Sequence, residues 1–167
     1  MPRSFDFAMD SSASVEQILS AFSEEEYWLA RLAAFGGIGR LESLDVDSGG
    51  SVCVVIRTDL RHDGLPGPIA HLFPHSWHTI HKERWRPIRE GQVQGEISVV
   101  THGAPGSGTG TGLLIPTPQG TRLEGAATVE FRVPLIGGKV EKMIGRQLVE
   151  GLSATLNFTA EWVTEHN

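Results

Sequence analysis

Residues 137–164 carry the pattern that most restricts the fold. Val140, Met143, Ile144, Leu148, Leu152, Thr155, Phe158, Thr159 and Trp162 recur at spacings of three and four, which draws one apolar stripe along a helix of about seven turns. A stripe of that length is stable in water only when a second layer covers it. The GG pair at 137 and 138, after Pro134, gives the backbone the freedom to turn into this helix.

The covering layer lies upstream, where the period changes to two. Segments 41–46, 52–60, 79–88, 93–101, 113–115 and 123–133 each read as a strand. DSGG, LPGP, EGQ, PGSGTGTG and TPQG divide them, so the middle of the chain predicts an antiparallel meander. The low-complexity run GAPGSGTGTG at 103–112 reads as a hairpin loop. It lacks the Lys-Ser/Thr pair and the strand-to-helix setting of a phosphate-cradling glycine loop. Ahead of the meander, Phe5, Phe7 and Met9 alternate along 3–9 as a first strand. Ser14 with Gln17 and Ser23 with Glu26 form two capping boxes that open short helices, the second ended by Gly36 and Gly37.

Composition narrows the class. A chain of 167 residues fits one domain, 1–167, and 40% hydrophobic content describes a globular protein. The formal charge of −6, with basic residues scattered singly, argues against nucleic acid or an anionic membrane as partner. The lone Cys53 forms no internal disulfide, as in a reducing compartment. No apolar run reaches the length of a membrane span and the N-terminus carries no signal core, so the expected location is the cytoplasm, without stable membrane insertion. No heptad seam prescribes an oligomer.

A strand, two short helices, a meander and a long C-terminal helix follow the order of a helix-grip fold, of the α+β class. VPLIGGKVEKMIGRQL at 133–148, NFTAEW at 157–162 and HKERW at 81–85 resemble motifs of an uncharacterised bacterial domain-of-unknown-function family within the START-like (SRPBCC) superfamily. The resemblance spans essentially the whole chain. It implies a curved antiparallel sheet of about seven strands wrapped around the long helix. Between them it implies a cavity that in relatives holds lipids, sterols, polyketides or other apolar molecules. It brings no established catalytic residues and no cofactor.

Strand parity then sorts side chains by face. In 123–133 the odd positions, Leu123 to Phe131, are apolar or small, while Arg122, Glu124, Glu130 and Arg132 alternate with them, so the odd face points inward. In HTIHKERW, residues 78–85, the even positions supply Lys82 and Arg84, continued by Arg86 just beyond, whose unpaired burial would cost several kcal/mol. They face solvent. Thr79, His81, Glu83 and Trp85 therefore face the helix, with the Cα atoms of His81 and Glu83 roughly 7 Å apart at about 3.3 Å per residue. Ile97, Val99, Val129 and Phe131 from the sheet, and Ile144, Leu148, Leu152 and Trp162 from the helix, complete the expected ligand wall.

A metal site is not expected. Pro74 breaks the helix that would join His71 to His75, and His78 falls on the opposite face from His81. The functional expectation is non-enzymatic binding of a hydrophobic small molecule, lipid or polyketide-like, with His81 and Glu83 as a polar anchor. An alternative is a cyclase or hydratase with His81 as general base and Glu83 orienting it; Ser76 and Cys53 lack a recognisable nucleophile partner. A further alternative is a protein-interaction module using residues 65–77.

Overall fold

The computed structural model describes residues 2–61, 71, 76–132 and 137–166. In chain order the elements are β1 (Arg3–Ser11), α1 (Val15–Phe22), α2 (Glu25–Ala34), β2 (Gly39–Val46) and β3 (Val52–Arg61). They continue with β4 (Ser76–Pro87), β5 (Val93–His102), β6 (Ser107–Thr117), β7 (Gly120–Glu130) and α3 (Gly137–Glu165). The strands form one seven-stranded sheet in the order β1-β7-β6-β5-β4-β3-β2, every neighbouring pair antiparallel. β2 to β7 are the expected meander. The two short helices carry the chain from β1 at one edge to β2 at the other.

Local sequence explains the entry to α1. Gln17 N donates to Ser14 Oγ at 3.1 Å and Ser14 N to Gln17 Oε1 at 2.9 Å, the reciprocal bonds of a capping box. The second expected box does not form. Ser23 is instead the C-terminal cap of α1, its hydroxyl donating to Leu19 O at 3.0 Å, and α2 starts after Glu24 with no side-chain cap. With α1 and α2 this close, the one serine between them serves the helix behind it.

The larger correction concerns 103–112. Residues from Ser107 onward are strand β6, hydrogen-bonded in register to both β5 and β7. Ser107, Thr109 and Thr111 are exposed while Gly108, Gly110 and Gly112 face in, so this is an alternating strand whose inward side chains are missing. The end of the expected strand 123–133 and the Pro134 corner lie outside the described residues.

Two contacts seat α3. The buried Glu141 carboxylate accepts the Phe131 backbone N–H at 2.8 Å, tying the helix to the end of β7. At Gly145 the helix backbone rests on the Phe5 ring of β1, which occupies the place a Cβ would take. The far end of α3 joins an aromatic core. Phe22 lies 5.4 Å from Tyr27, 5.6 Å from Trp28 and 5.2 Å from Trp85, while Tyr27 meets Trp162 edge-on at 5.5 Å. Such tilted and edge-on contacts are the favoured ring geometries. Most polar atoms inside this core are matched, Trp85 Nε1 being an exception. Trp28 Nε1 donates to Phe22 O at 2.7 Å; Thr159 donates to Thr155 O at 2.8 Å, so it accepts from Tyr27 Oη at 2.7 Å.

Candidate functional site

A cavity of about 390 Å³ lies between the inner face of the sheet and α3. Its position follows from the register. Three inward rows cross β3 to β7: Ile56, His81, Val99, Gly108 and Val129; then Val54, Glu83, Ile97, Gly110 and Ala127; then Val52, Trp85, Gly95, Gly112 and Gly125. In the last row rings fill the glycine gaps. Trp85 lies over Gly95, and the Phe7 ring comes within 2.8 Å of where a Gly125 Cβ would stand. In the first two rows nothing does so. A Cβ at Gly108 or Gly110 would meet only ordinary contacts at 3.5 Å or more. The cavity is the volume that β6 leaves unfilled.

Of the expected wall residues, Thr79, His81, Glu83 and Trp85 line the cavity from β4, and Ile97 and Val99 from β5. Leu148 and Leu152 line it from α3. Four others are placed elsewhere. Ile144 precedes Gly145, where helix and sheet touch and leave no room. Trp162 is taken up by the aromatic core. Val129 and Phe131 are buried toward the end of β7, where Glu141 holds the helix down. Parity assigns these two to the interior, as found, but does not fix their place along the wall.

The polar end of the cavity contains a residue that sequence reasoning missed. Arg31, on α2, directs Nη1 to Glu83 Oε2 at 3.3 Å and Nη2 to Glu83 Oε1 at 3.2 Å, a two-pronged ion pair. Its guanidinium also stacks 4.7 Å above the Trp28 ring. Glu83 is 2% exposed. Burial pushes its carboxyl up, but Arg31 and then His81 outweigh that and hold it at about 2, so it is ionised at neutral pH. Burial lowers the Arg31 value while Glu83 and Tyr27 raise it, with a net rise. Burial raises the Tyr27 phenol, which stays neutral.

His81 Nε2 stands 3.4 Å from Glu83 Oε1, close but misaligned, and is left buried without a hydrogen-bond partner, as is Trp85 Nε1. The 28% of the His81 side chain that stays exposed excludes Nε2, and the residue lines the cavity. Among the described lining residues, Arg31, Glu83 and His81 are the titratable ones; the remainder are mainly aliphatic, aromatic, glycine and threonine.

The other described histidines stay apart from this cluster, and His62 lies outside the described residues. His78 stacks on His102 at 4.8 Å on the outer face, and His75 lies outside the described residues. No three His, Cys, Asp or Glu among the described residues are grouped to hold a metal, and no described helix is long and apolar enough to cross a membrane. Most of 65–77 lies outside the described residues. A shallow hollow of about 490 Å³ on the outer face, over Asp6, Gln94, Thr111 and Glu124, is open to solvent and contains none of Arg31, His81 and Glu83.

The sheet gripping α3 around an internal cavity defines a Bet v 1/START-like helix-grip protein. Comparison narrows this to a family: the chain belongs to the one described as "Protein of unknown function (DUF2505)", matched over residues 6–163. Uncharacterized proteins of Mycobacterium tuberculosis and Mycobacterium bovis are 38% identical over 99% of this chain and 99% of their own length. Among solved structures, Ara h 8.0201 superposes with a TM-score of 0.58 at 10% identity, covering 99% of each chain. Norcoclaurine synthase from Thalictrum flavum gives 0.56 at 16%, covering 99% of this chain and 88% of that one. A Thermus thermophilus protein gives 0.54 at 15%, covering 100% and 99%. Identities this low establish the shared fold and nothing finer.

Proposed function

We propose that this protein binds a small apolar molecule in the cavity between the sheet and α3, with the polar end of the molecule at the Arg31, Glu83 and His81 cluster. One observation carries the reading: the inward positions 108, 110 and 112 of β6 are glycines, so an otherwise well-packed interior retains about 390 Å³ of apolar-walled space. That volume lies in the range of small-molecule pockets. Energetics favour a polar anchor. Burying about 300 Å² of ligand yields ~7 kcal/mol gross at roughly 25 cal/mol per Å². Association costs about 4 kcal/mol or more. Apolar burial alone gives loose binding. Lipid or polyketide-like compounds match the wall chemistry. Organic extraction of purified protein followed by mass spectrometry tests this, with a copurifying apolar compound as the expected result. An empty extract together with no response of tryptophan fluorescence to apolar probes would sink it.

A second reading rests on the 3.4 Å approach of His81 Nε2 to Glu83 Oε1. Glu83 orients the imidazole while the opposite ring edge acts as general base on a cavity-bound substrate, in a cyclase or hydratase reaction. His81→Ala retaining full turnover of an identified substrate would remove this mechanism.

A further inference from the structure

We infer, resting on the binding reading above, that the ligand is uncharged and places a hydroxyl at the polar end of the cavity, and that carboxylates such as free fatty acids are discriminated against. The cluster is electrically closed. Both terminal nitrogens of Arg31 are directed at the two oxygens of Glu83, so the one arginine in the described wall is already matched by an ionised carboxylate. A ligand carboxylate arriving there meets the Glu83 charge as closely as the Arg31 charge, and gives up its own hydration without gaining a free cation. An anchor built for a fatty acid would leave the arginine unpaired.

What the wall does offer is neutral hydrogen bonding. With Glu83 ionised, a lone pair on His81 Nε2 would point toward its oxygen 3.4 Å away and be repelled, so the proton of the neutral ring belongs on Nε2. Nδ1 is then the acceptor, on the edge of the ring that Glu83 does not face. Its complement is a donor. Thr58 and Thr79, paired across β3 and β4 one row from His81, also line the cavity and can donate to or accept from the same group. A hydroxyl satisfies both His81 and a threonine; a carboxylate satisfies only the donors and opposes Glu83.

Decanol and decanoate differ only at the head group and serve as matched probes. Titrated at about pH 8, where the acid is ionised, and followed by tryptophan fluorescence, decanol is expected to bind tighter on the order of tenfold or more. Decanoate binding as tightly as decanol, or tighter, overturns the inference and leaves the cavity reading standing. Failure of both probes to bind counts against the two together. Glu83→Gln frees the Arg31 charge, so it should tighten decanoate by on the order of tenfold and narrow or reverse the preference for decanol. A folded variant with unchanged decanoate affinity overturns the electrostatic cause. If that variant does not fold, the wild-type ranking decides.

Discussion

The interior has two ends built from the same sheet face, and they treat glycine in opposite ways. At the aromatic end, Gly95 and Gly125 leave gaps that Trp85 and Phe7 fill, and Phe22, Tyr27, Trp28 and Trp162 close the packing. At the cavity end, Gly108 and Gly110 leave gaps that nothing fills. A missing side chain is thus a packing device in one place and a binding volume in the other. The difference lies in where the rings go: Trp85 and Phe7 reach across their own row, whereas Phe5, which continues the Glu83 row on β1, is turned under Gly145 of α3.

Substitutions should separate the two ends. The largest effect is expected at Gly125→Val, because the new Cβ collides with the Thr111 carbonyl and the Phe7 ring. A loss of about 3 kcal/mol or more, or no folded protein, is expected in chemical denaturation; a stable variant would show that the aromatic end is looser than its geometry. Next comes Arg31→Ala, which strands a buried carboxylate. A cost of about 3–5 kcal/mol follows, and a change below about 1 kcal/mol would mean Glu83 is compensated by another group. The same pair sets an acid limit. Glu83 is depressed in the folded state to about 2 from 4.5, so its contribution is complete above pH 4.5 and is lost as pH falls toward 2. Stability measured across that window should fall in the wild type; a flat profile would contradict an ionised Glu83. The smallest effect on stability is expected at Gly110→Val, where a strand-favouring residue meets only ordinary contacts at its Cβ and extends into the cavity. Ligand-free stability should hold or rise by up to about 1 kcal/mol while decanol binding is lost. A destabilised variant that still binds decanol would erase the distinction between the ends.

Much of this architecture is legible in the residues themselves. Alternation of charge with apolar residues puts Thr79, His81, Glu83 and Trp85 inside, because a buried lysine or arginine face is too costly to mistake. The Ser14 box and the stripe of α3 rest on contacts within one helix, which spacing reports directly. β6 reads as a loop because periodicity is recognised through side chains, and on its inner face from Ser107 to Gly112 there are none. Arg31 escapes notice for a different reason. Its partner is distant in sequence, and nothing in EEYWLARLAA marks which residue of the helix will reach β4. Parity and helical spacing likewise turn Val129, Phe131, Ile144 and Trp162 inward without telling where helix and sheet are in contact and where they part.

That parting point is Gly145. With the Phe5 ring occupying its Cβ position, the helix touches the sheet there, and Leu148, Leu152 and Thr155 on the following turns roof the cavity. The contact acts as a fulcrum: its height sets the clearance further along the helix. A methyl at this position, Gly145→Ala, has to lift α3 from β1, and a crystal structure of the variant should show a deeper cavity beneath Leu148 with β6 unchanged. Ligand size would then be adjusted from a residue that the ligand never touches.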